Sequence, residues 1–216
     1  MGMKKASIAH LRREYRTRGL VEKNAPANPL PLFDRWFKEA LKAKVLDANA
    51  VAVASVSPSG KPSSRMVLLK GFDSKGFVFF TNYRSLKGRE LSRSPWASLL
   101  FFWPQLGRQV RVEGKASKIT ARESDDYFRT RPRGSQLGAW ASDQSQVVKN
   151  REALESRMAT LAILFAGRSI PRPLYWGGYR IAPSSIEFWK GRPNRLHDRL
   201  LYRKKGGRWT RVRLAP

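Results

Sequence analysis

The sequence predicts an α+β fold, an antiparallel β-barrel with helical additions. Short apolar segments separated by Gly, Pro and Ser turns run from about residue 50 to 119 and again from 176 to 214. Helical patterns precede the first group and separate it from the second. Strands joined by hairpins, with helices inserted between groups of them, are typical of such barrels. The 216 residues are enough for one domain with a substantial core.

Composition excludes several classes of protein. The chain has no cysteine, which rules out disulfides, thiolate catalysis and Cys-ligated metals, and no metal site is predicted. No secretory h-region or spanning apolar segment is visible, so a cytoplasmic protein without membrane contact is expected. The net charge of +27 favours polyanionic partners. Because the cations are spread along the chain and no nucleic-acid-binding motif is visible, any nucleic-acid binding is expected to be non-specific.

The first 27 residues predict a flexible basic arm, and residues 28–216 a single domain. Asn28 is a favourable N-cap, and Pro29 suits the first helical position. Apolar residues then recur at spacings of three and four. This spacing predicts one buried helix face, formed by Leu32, Phe33, Trp36, Phe37, Ala40 and Leu41.

Turn and cap residues define the remaining elements. Strands are predicted at Ala50–Val56, Ser64–Lys70, Phe77–Thr81, Ala97–Trp103 and Gln109–Ile119, and more follow between Trp176 and Leu214. A short helix is predicted over Ser85–Ser92. Thr120 and Glu123 form a capping box for a helix that ends before Pro132. A second helical region is predicted from Gln146 to about Phe165.

The segment before the last strands has an unusual pattern of cations. If it is extended, the strand period of two puts Arg195, His197 and Arg199 on one face. Buried unpaired charge is costly, so this face meets either solvent, as a basic edge strand, or an anion. The imidazole adds a group that titrates near neutral pH. The preceding Trp189 and a Gly-Arg-Pro turn favour a site.

The predicted strand from Ser64 to Lys70 is apolar and bracketed by cations. Arg65 and Lys70 are five residues apart, so regular alternation sends them to opposite faces. One ligand touched by both requires a bulge or a strand end, or else the two serve different ligands. Ordinary strand-end charges are the competing interpretation.

Two further segments are candidates for binding phosphate. Ser85 and Lys87 stand at a strand-to-helix junction, where backbone N–H groups favour anions. Tyr127 and Arg131 share a helix face, and Ser135 lies just beyond the proline that ends the helix. A phenol, a guanidinium and a hydroxyl make a phosphate clamp. Cations matched to the dipole of a helix C-terminus are the alternative.

Ordered motifs extend from the arm to the last residues. They are His10–Tyr15, Arg65–Lys70, Phe80–Asn82, Arg108–Val110, Tyr127–Ser135, Gly138–Trp140, Gln144-Ser145, Trp176–Gly178 and Ile186–Arg199. Taken together, these segments resemble the pyridoxine (pyridoxamine) 5′-phosphate oxidase family. The resemblance implies an FMN-binding split β-barrel that forms a homodimer, with FMN at the subunit interface. It implies oxidation of pyridoxine 5′-phosphate or pyridoxamine 5′-phosphate to pyridoxal 5′-phosphate. Electrons then pass through FMN to O2, giving H2O2, and the amine substrate releases NH3.

The resemblance also assigns residues to roles. FMN contacts are implied for Arg65, Met66, Val67, Leu68, Lys70, Phe80, Thr81, Leu86, Lys87, Gln109, Gln144, Ser145, Trp189 and Arg199. Substrate-phosphate contacts are implied for Lys70, Tyr127, Arg131 and Ser135. Arg195 and His197 are the implied catalytic residues beside the substrate ring, and Arg12 and Tyr15 the implied lid. Hydride transfer is expected, with His197 orienting the substrate. Leu86 departs from the family pattern, which usually has an arginine there.

Two other classes compete with this interpretation. The charge alone favours a nucleic-acid-binding protein, but the cations alternate with apolar residues in strand-rich segments. Another split-barrel flavoprotein, such as a flavin reductase or a heme-handling relative, is the second. The clamp and the Arg195–His197 segment disfavour it, because they supply a second phosphate and ring site beyond the flavin.

Overall fold

In the part of the chain that the structure describes, nine strands form one antiparallel sheet. The structure, a computed structural model, describes residues 14, 15, 17 and 19–216. Its strands are β1 Ala50–Val56, β2 Pro62–Leu68, β3 Gly71–Asp73, β4 Gly76–Asn82, β5 Trp96–Trp103, β6 Arg108–Lys118, β7 Trp176–Lys190, β8 Asp198–Lys205 and β9 Arg208–Leu214. Its α-helices are α1 Pro29–Lys42, α2 Leu86–Arg93, α3 Ala121–Arg129, α4 Arg133–Ala141 and α5 Arg151–Leu164. The predicted α+β class with an antiparallel barrel-like sheet is confirmed.

Strand β7 organises the sheet because it has three neighbours. The strand order is β2-β1-β5-β6-β7-β4-β3; off this path, β8 pairs with β7, and β9 pairs with β8. Strand β6 pairs with one edge of β7 along its length. On the other edge, β4 pairs with residues 176–181 and β8 with residues 185–190. The pairing changes near a β-bulge between Glu113 and Gly114 of β6, where strands bend.

Helix α1 packs the main core against the sheet. The Asn28 side chain accepts a hydrogen bond from Leu30 N at 3.0 Å, so the predicted cap is confirmed. Phe33 is fully buried, and its ring centroid lies 4.9 Å from that of Phe77. Leu41, predicted on the buried face, is instead 54% exposed. It follows Ala40 directly, so it is turned about 100° around the helix towards solvent.

Helices α3, α4 and α5 form a second layer over the start of β7. The predicted capping box of Thr120 and Glu123 is present. Helix α5 begins at Arg151 rather than near Gln146, because Asn150 caps it and accepts a hydrogen bond from Ala153 N. The sequence pattern does not predict α4, which contains Gly134 and Gly138. Among the described helices none is long and apolar enough to cross a membrane.

The predicted strand face of Arg195, His197 and Arg199 is wrong. Residues Pro193–Arg195 form a 3-10 turn, and β8 begins only at Asp198. The reason is the Pro193 turn, after which Asn194 and Arg195 adopt positive φ angles of 54° and 62°. A chain in that conformation cannot alternate its side chains as a strand does.

Candidate active site

A cavity of about 640 Å³ opens where the end of β2, β4, α2 and the α3–α4 junction meet the start of β7. It gathers most of the residues predicted to contact flavin or substrate phosphate. These are Met66, Val67, Leu68, Lys70, Phe80, Thr81, Lys87, Tyr127, Arg131, Ser135 and Gln144. Lys70 lies just beyond the end of β2 and lines the cavity, whereas Arg65, within β2, does not line it. Segments distant in sequence thus converge on one concave site.

Stacked aromatic rings line one wall of this cavity. The ring centroids of Phe80 and Tyr127 lie 3.9 Å apart, and those of Phe80 and Trp176 lie 5.4 Å apart. The Arg131 guanidinium lies 4.5 Å from the Trp176 ring centroid, and Lys70 Nζ lies 5.9 Å from that of Tyr127. The wall therefore combines apolar surface with two cations held near ring faces.

Arg131 is the clearest mark of an anion site. Its Nη1 is buried and has no hydrogen-bond partner among the described residues. Burial lowers the pKa of its guanidinium. A buried donor left unsatisfied costs about 1–3 kcal/mol, and more when it is charged. Lys70, Tyr127 and Ser135 line the same cavity, so the residues of the predicted clamp lie around one space that suits a phosphate.

Lys87 forms a second cationic centre in the cavity. Its Nζ donates to Thr81 Oγ1 and to Gln144 Oε1, each at 3.1 Å. Burial, and then repulsion from Arg65, lowers the pKa of Lys87 to about 8. Both partners are neutral oxygens, so neither of them neutralises the charge of the ammonium. The Ser85 hydroxyl is used as the N-cap of α2, where it accepts from Gly88 N at 3.2 Å.

Arg65 lies beside this centre and is held by a buried polar network. Its Nη1 donates to Ser55 Oγ at 2.6 Å, and its Nη2 donates to Ser63 Oγ at 2.5 Å. Both hydroxyls donate to Glu90 Oε2 at 2.6 Å. Burial raises the pKa of Glu90, but the serine and arginine contacts outweigh it, so the net shift is downward. Glu90 is therefore ionised and partly balances the charge of Arg65, with which it pairs at 3.6 Å.

A second group of predicted residues lies at the far end of β7. Gln109, Trp189 and Arg199 are neighbours in register across β6, β7 and β8. Arg199 Nε donates to Glu187 Oε1 at 2.7 Å, and this contact raises the pKa of Arg199. The His197 ring centroid lies 4.6 Å from that of Trp189.

Tyr15 belongs to the same group. Its ring lies 5.5 Å from Trp189 and 5.9 Å from His197, edge-on in both cases. A Cβ on Gly107 or Gly191 would collide with the Tyr15 ring, so these two glycines form its slot. Arg12, its predicted partner in the lid, lies outside the described residues.

The two groups lie towards opposite ends of β7. Trp176 lines the cavity and begins β7, whereas Trp189 is the last residue but one of this 15-residue strand. At about 3.3 Å per residue the strand is roughly 45 Å long if straight. One chain therefore presents two separate parts of the predicted ligand set.

A few predicted contacts lie outside both groups, and some residues were not predicted. Leu86 is 42% exposed at the first position of α2. Ser145 is exposed with a φ of 72° and does not line the cavity. Trp176, Glu90 and Glu187 were not predicted as site residues. Trp176 could have been found, because it opens a strand beside two glycines, but no local pattern marks the two glutamates as buried.

Comparison with known proteins identifies the family. The family model for pyridoxamine 5′-phosphate oxidase matches residues 37–165. The model for the pyridoxine 5′-phosphate oxidase C-terminal dimerisation region matches residues 176–216 and supports a homodimer. The pyridoxine/pyridoxamine 5′-phosphate oxidase of Rubrobacter xylanophilus is 57% identical over 209 residues, covering 97% of this chain and 96% of that protein. The Cyanothece enzyme of the same name is 52% identical over 210 residues, covering 97% and 99%.

Solved structures support the split-barrel fold. PhzG from Burkholderia lata, in complex with tetrahydrophenazine-1-carboxylic acid, has a TM-score of 0.85 and 36% identity, covering 90% of this chain and 95% of that one. An FMN-binding protein related to pyridoxamine 5′-phosphate oxidase, from Nostoc punctiforme, has a TM-score of 0.69 at 18% identity, covering 88% and 100%, and supports the fold alone. Together with the cationic cavity, these matches show that the chain is an oxidoreductase belonging to the pyridoxine/pyridoxamine 5′-phosphate oxidase family.

Proposed function

We propose that the protein uses FMN to oxidise pyridoxine 5′-phosphate or pyridoxamine 5′-phosphate to pyridoxal 5′-phosphate. O2 accepts the two electrons and gives H2O2, and with the amine substrate water hydrolyses the product imine to the aldehyde and NH3. The observation that carries the proposal is the buried Arg131 Nη1, which has no acceptor among the described residues of the cavity. A phosphorylated substrate supplies that acceptor, and Lys70, Tyr127 and Ser135 surround the same space.

The residues around Lys87 fit the phosphate of FMN. Arg65 and Lys87 are two neighbouring cations with one ionised carboxylate, Glu90, between β1, β2 and α2. The amide of Gln144 and the hydroxyl of Thr81 lie beside the ammonium. Bound FMN supplies the electron acceptor that the side chains of this protein lack.

A complete site requires two chains. The cavity supplies the phosphate clamp, while Arg195, His197, Trp189 and Arg199 lie towards the opposite end of β7. In a two-fold symmetric dimer, the cavity of one chain is completed by the second group of the other. The clamp then fixes the phosphate end of the substrate. Arg195 and His197 orient the ring against the flavin, and Tyr15 excludes water as part of a lid.

A phenazine precursor is the competing substrate, because PhzG was solved with tetrahydrophenazine-1-carboxylic acid. That ligand is a carboxylic acid without a phosphate. The Lys70 and Arg131 cations, set around an apolar wall, match a phosphorylated aromatic substrate better. The relatives at 52% and 57% identity also favour B6 vitamers.

The proposal is tested with FMN-loaded protein and four candidate substrates. We expect O2 uptake, H2O2 and pyridoxal 5′-phosphate with the phosphorylated amine or alcohol, and little with unphosphorylated pyridoxamine. Equal turnover of pyridoxamine 5′-phosphate and of pyridoxamine would contradict the assignment of the clamp to the substrate phosphate. Faster turnover of the reduced phenazine acid would favour the competing substrate.

FMN affinity is expected to fall as pH rises through about 8. Lys87 binds phosphate only when protonated, and its pKa in the free protein is about 8. The FMN phosphate is already a dianion there, because its second pKa is near 6. Above pH 8 the Kd is expected to rise, by up to about tenfold per pH unit. Flavin fluorescence titration measures it, and Lys87→Arg, which stays charged, is the matched control. A parent profile as flat as that of the control would contradict the assignment.

Leu86→Arg is expected to tighten FMN binding. Residue 86 is exposed at the first turn of α2, one residue before Lys87, so a guanidinium there can reach the flavin phosphate. A charge-assisted hydrogen bond is worth about 1.5–3 kcal/mol, and exposure reduces this, so roughly a tenfold lower Kd is expected. Leu86→Met is the neutral control. An unchanged Kd in Leu86→Arg would place residue 86 away from the phosphate.

A further inference from the structure

The turn after β7, at Gly191 and Arg192, is tied by two hydrogen bonds to the N-terminal segment that carries Tyr15 and Thr17, and by one ion pair to β8. Thr17 Oγ1 donates to Gly191 O at 2.6 Å, and Arg192 Nη1 donates to Thr17 O at 2.6 Å. Arg192 Nε also lies 3.5 Å from Asp198 Oδ2. The turn and the segment therefore form one hydrogen-bonded unit.

The same turn holds the imidazole of His197. The backbone N–H of Arg192 donates to His197 Nδ1 at 3.1 Å. A backbone N–H can only donate, so Nδ1 presents its lone pair and the ring proton is on Nε2. In a doubly protonated ring, Nδ1–H would face the backbone N–H of Arg192, and the two donors would repel each other. Burial, and then the charge of Arg195, lowers the pKa of His197. This lower pKa also favours the neutral ring.

Asp198 anchors the arrangement to the sheet. Its Oδ2 accepts from Leu20 N at 2.9 Å, and its Oδ1 accepts from Arg213 Nη1 at 2.7 Å. Arg213 in turn donates to Leu20 O at 2.9 Å and to both carboxylate oxygens of Glu22. The base of the N-terminal segment is thus held by charged groups of β8 and β9.

We propose that Arg192 is a positioning residue that couples docking of the N-terminal segment to the tautomer and orientation of His197. Its backbone N–H fixes the neutral Nε2–H form, and its guanidinium holds Thr17, two residues after Tyr15. The guanidinium, through Thr17 and Asp198, holds the turn that presents this N–H, so losing those contacts also loosens the ring.

This coupling gives His197 a specific role, which rests on the proposed function. With Nδ1 occupied and Nε2 protonated, His197 donates a hydrogen bond and does not accept a proton from the substrate. The acceptor it suits is the ring oxygen of a hydroxypyridine in its phenolate form. Docking of the segment that carries Tyr15 would then also orient the Nε2–H donor of His197.

The tautomer is measured by long-range 1H–15N NMR on FMN-loaded protein labelled in histidine. The chain has two histidines, so His10→Gln leaves His197 as the sole signal. We expect one pyrrole-type nitrogen at Nε2 and one pyridine-type nitrogen at Nδ1. An Nδ1–H tautomer or an imidazolium at neutral pH would overturn the assignment.

The coupling is measured on Arg192→Met, with Arg192→Lys as a rescue and Arg203→Met as the matched control. Arg203 is an exposed arginine on β8 away from the turn. In Arg192→Met we expect the 15N shifts of Nδ1 and Nε2 of His197 to approach each other, because the two tautomers then exchange. We also expect chymotrypsin to cut after Tyr15 about tenfold faster. Arg192→Lys is expected to recover part of both effects.

Thr17→Val removes one hydrogen bond and serves as a milder variant if Arg192→Met does not fold. It is expected to shift both readouts in the same direction. If either folded variant behaves like Arg203→Met, the coupling is wrong. Both readouts need no substrate, so a protein that fails to oxidise B6 vitamers still tests this inference, and the oxidase assay tests the function separately.

Discussion

Arg131→Met is expected to raise KM for pyridoxamine 5′-phosphate by about 10- to 100-fold. The variant removes a charge-assisted contact to phosphate worth about 1.5–3 kcal/mol, while methionine keeps apolar contact with Trp176. Because the phosphate lies away from the reacting carbon, kcat is expected to change less than KM. Steady-state kinetics with pyridoxamine 5′-phosphate and with unphosphorylated pyridoxamine separate the effects. KM for pyridoxamine should be nearly unchanged.

Stability provides an independent readout for the same variant. In the free protein the Arg131 guanidinium is half-buried and its Nη1 has no described partner, so its removal relieves a desolvation cost. We expect the free energy of unfolding of ligand-free Arg131→Met to equal or exceed that of the parent. Arg129→Met is the matched control, since Arg129 is 71% exposed on the same segment and pairs with Asp126. A loss of stability with an unchanged KM would make Arg131 a structural residue.

The sequence predicted those parts of the fold that depend on local chemistry. Asn28 and the Thr120–Glu123 box determine helix starts through contacts within four residues, and both were predicted correctly. Strand β1 was predicted with its observed bounds, because it is a short apolar run that ends in a turn. Helix α4 contains two glycines, and its stability comes from packing on Trp176 and α5, which no local pattern reveals.

The candidate site was harder to predict, because it depends on tertiary placement. Arg195 and His197 have the spacing of a strand, but Pro193 and two positive φ angles make a turn there. Glu90 lies in a polar helix and resembles a solvent-exposed residue, yet it is 5% exposed beneath Arg65. The separation of the ligand set into two groups follows from β7, whose length and pairing appear only in the sheet topology.

Mixing two variants with impaired kcat/KM is expected to restore activity at low substrate concentration. Arg131→Met damages the cavity, and Arg195→Ala damages the second group at an exposed residue, so both chains should fold. If each site takes one group from each chain, a mixed dimer has one site with both defects and one with neither. Random exchange of equal amounts makes half of the dimers mixed, so about a quarter of all sites should be intact.

The experiment uses subunit exchange followed by the oxidase assay at saturating FMN. Each variant alone is expected to keep only a small part of the parent kcat/KM, and the mixture to recover towards a quarter as exchange proceeds. Mixing Arg131→Met with Lys70→Met, which damages the same group, is the matched control and should recover nothing, because every site then carries a clamp defect. If exchange is complete by mass spectrometry and activity stays at the sum of the two variants, both groups act within one chain. The separation of the groups along β7 would then have to close by bending of the sheet, and the two-chain site would be wrong.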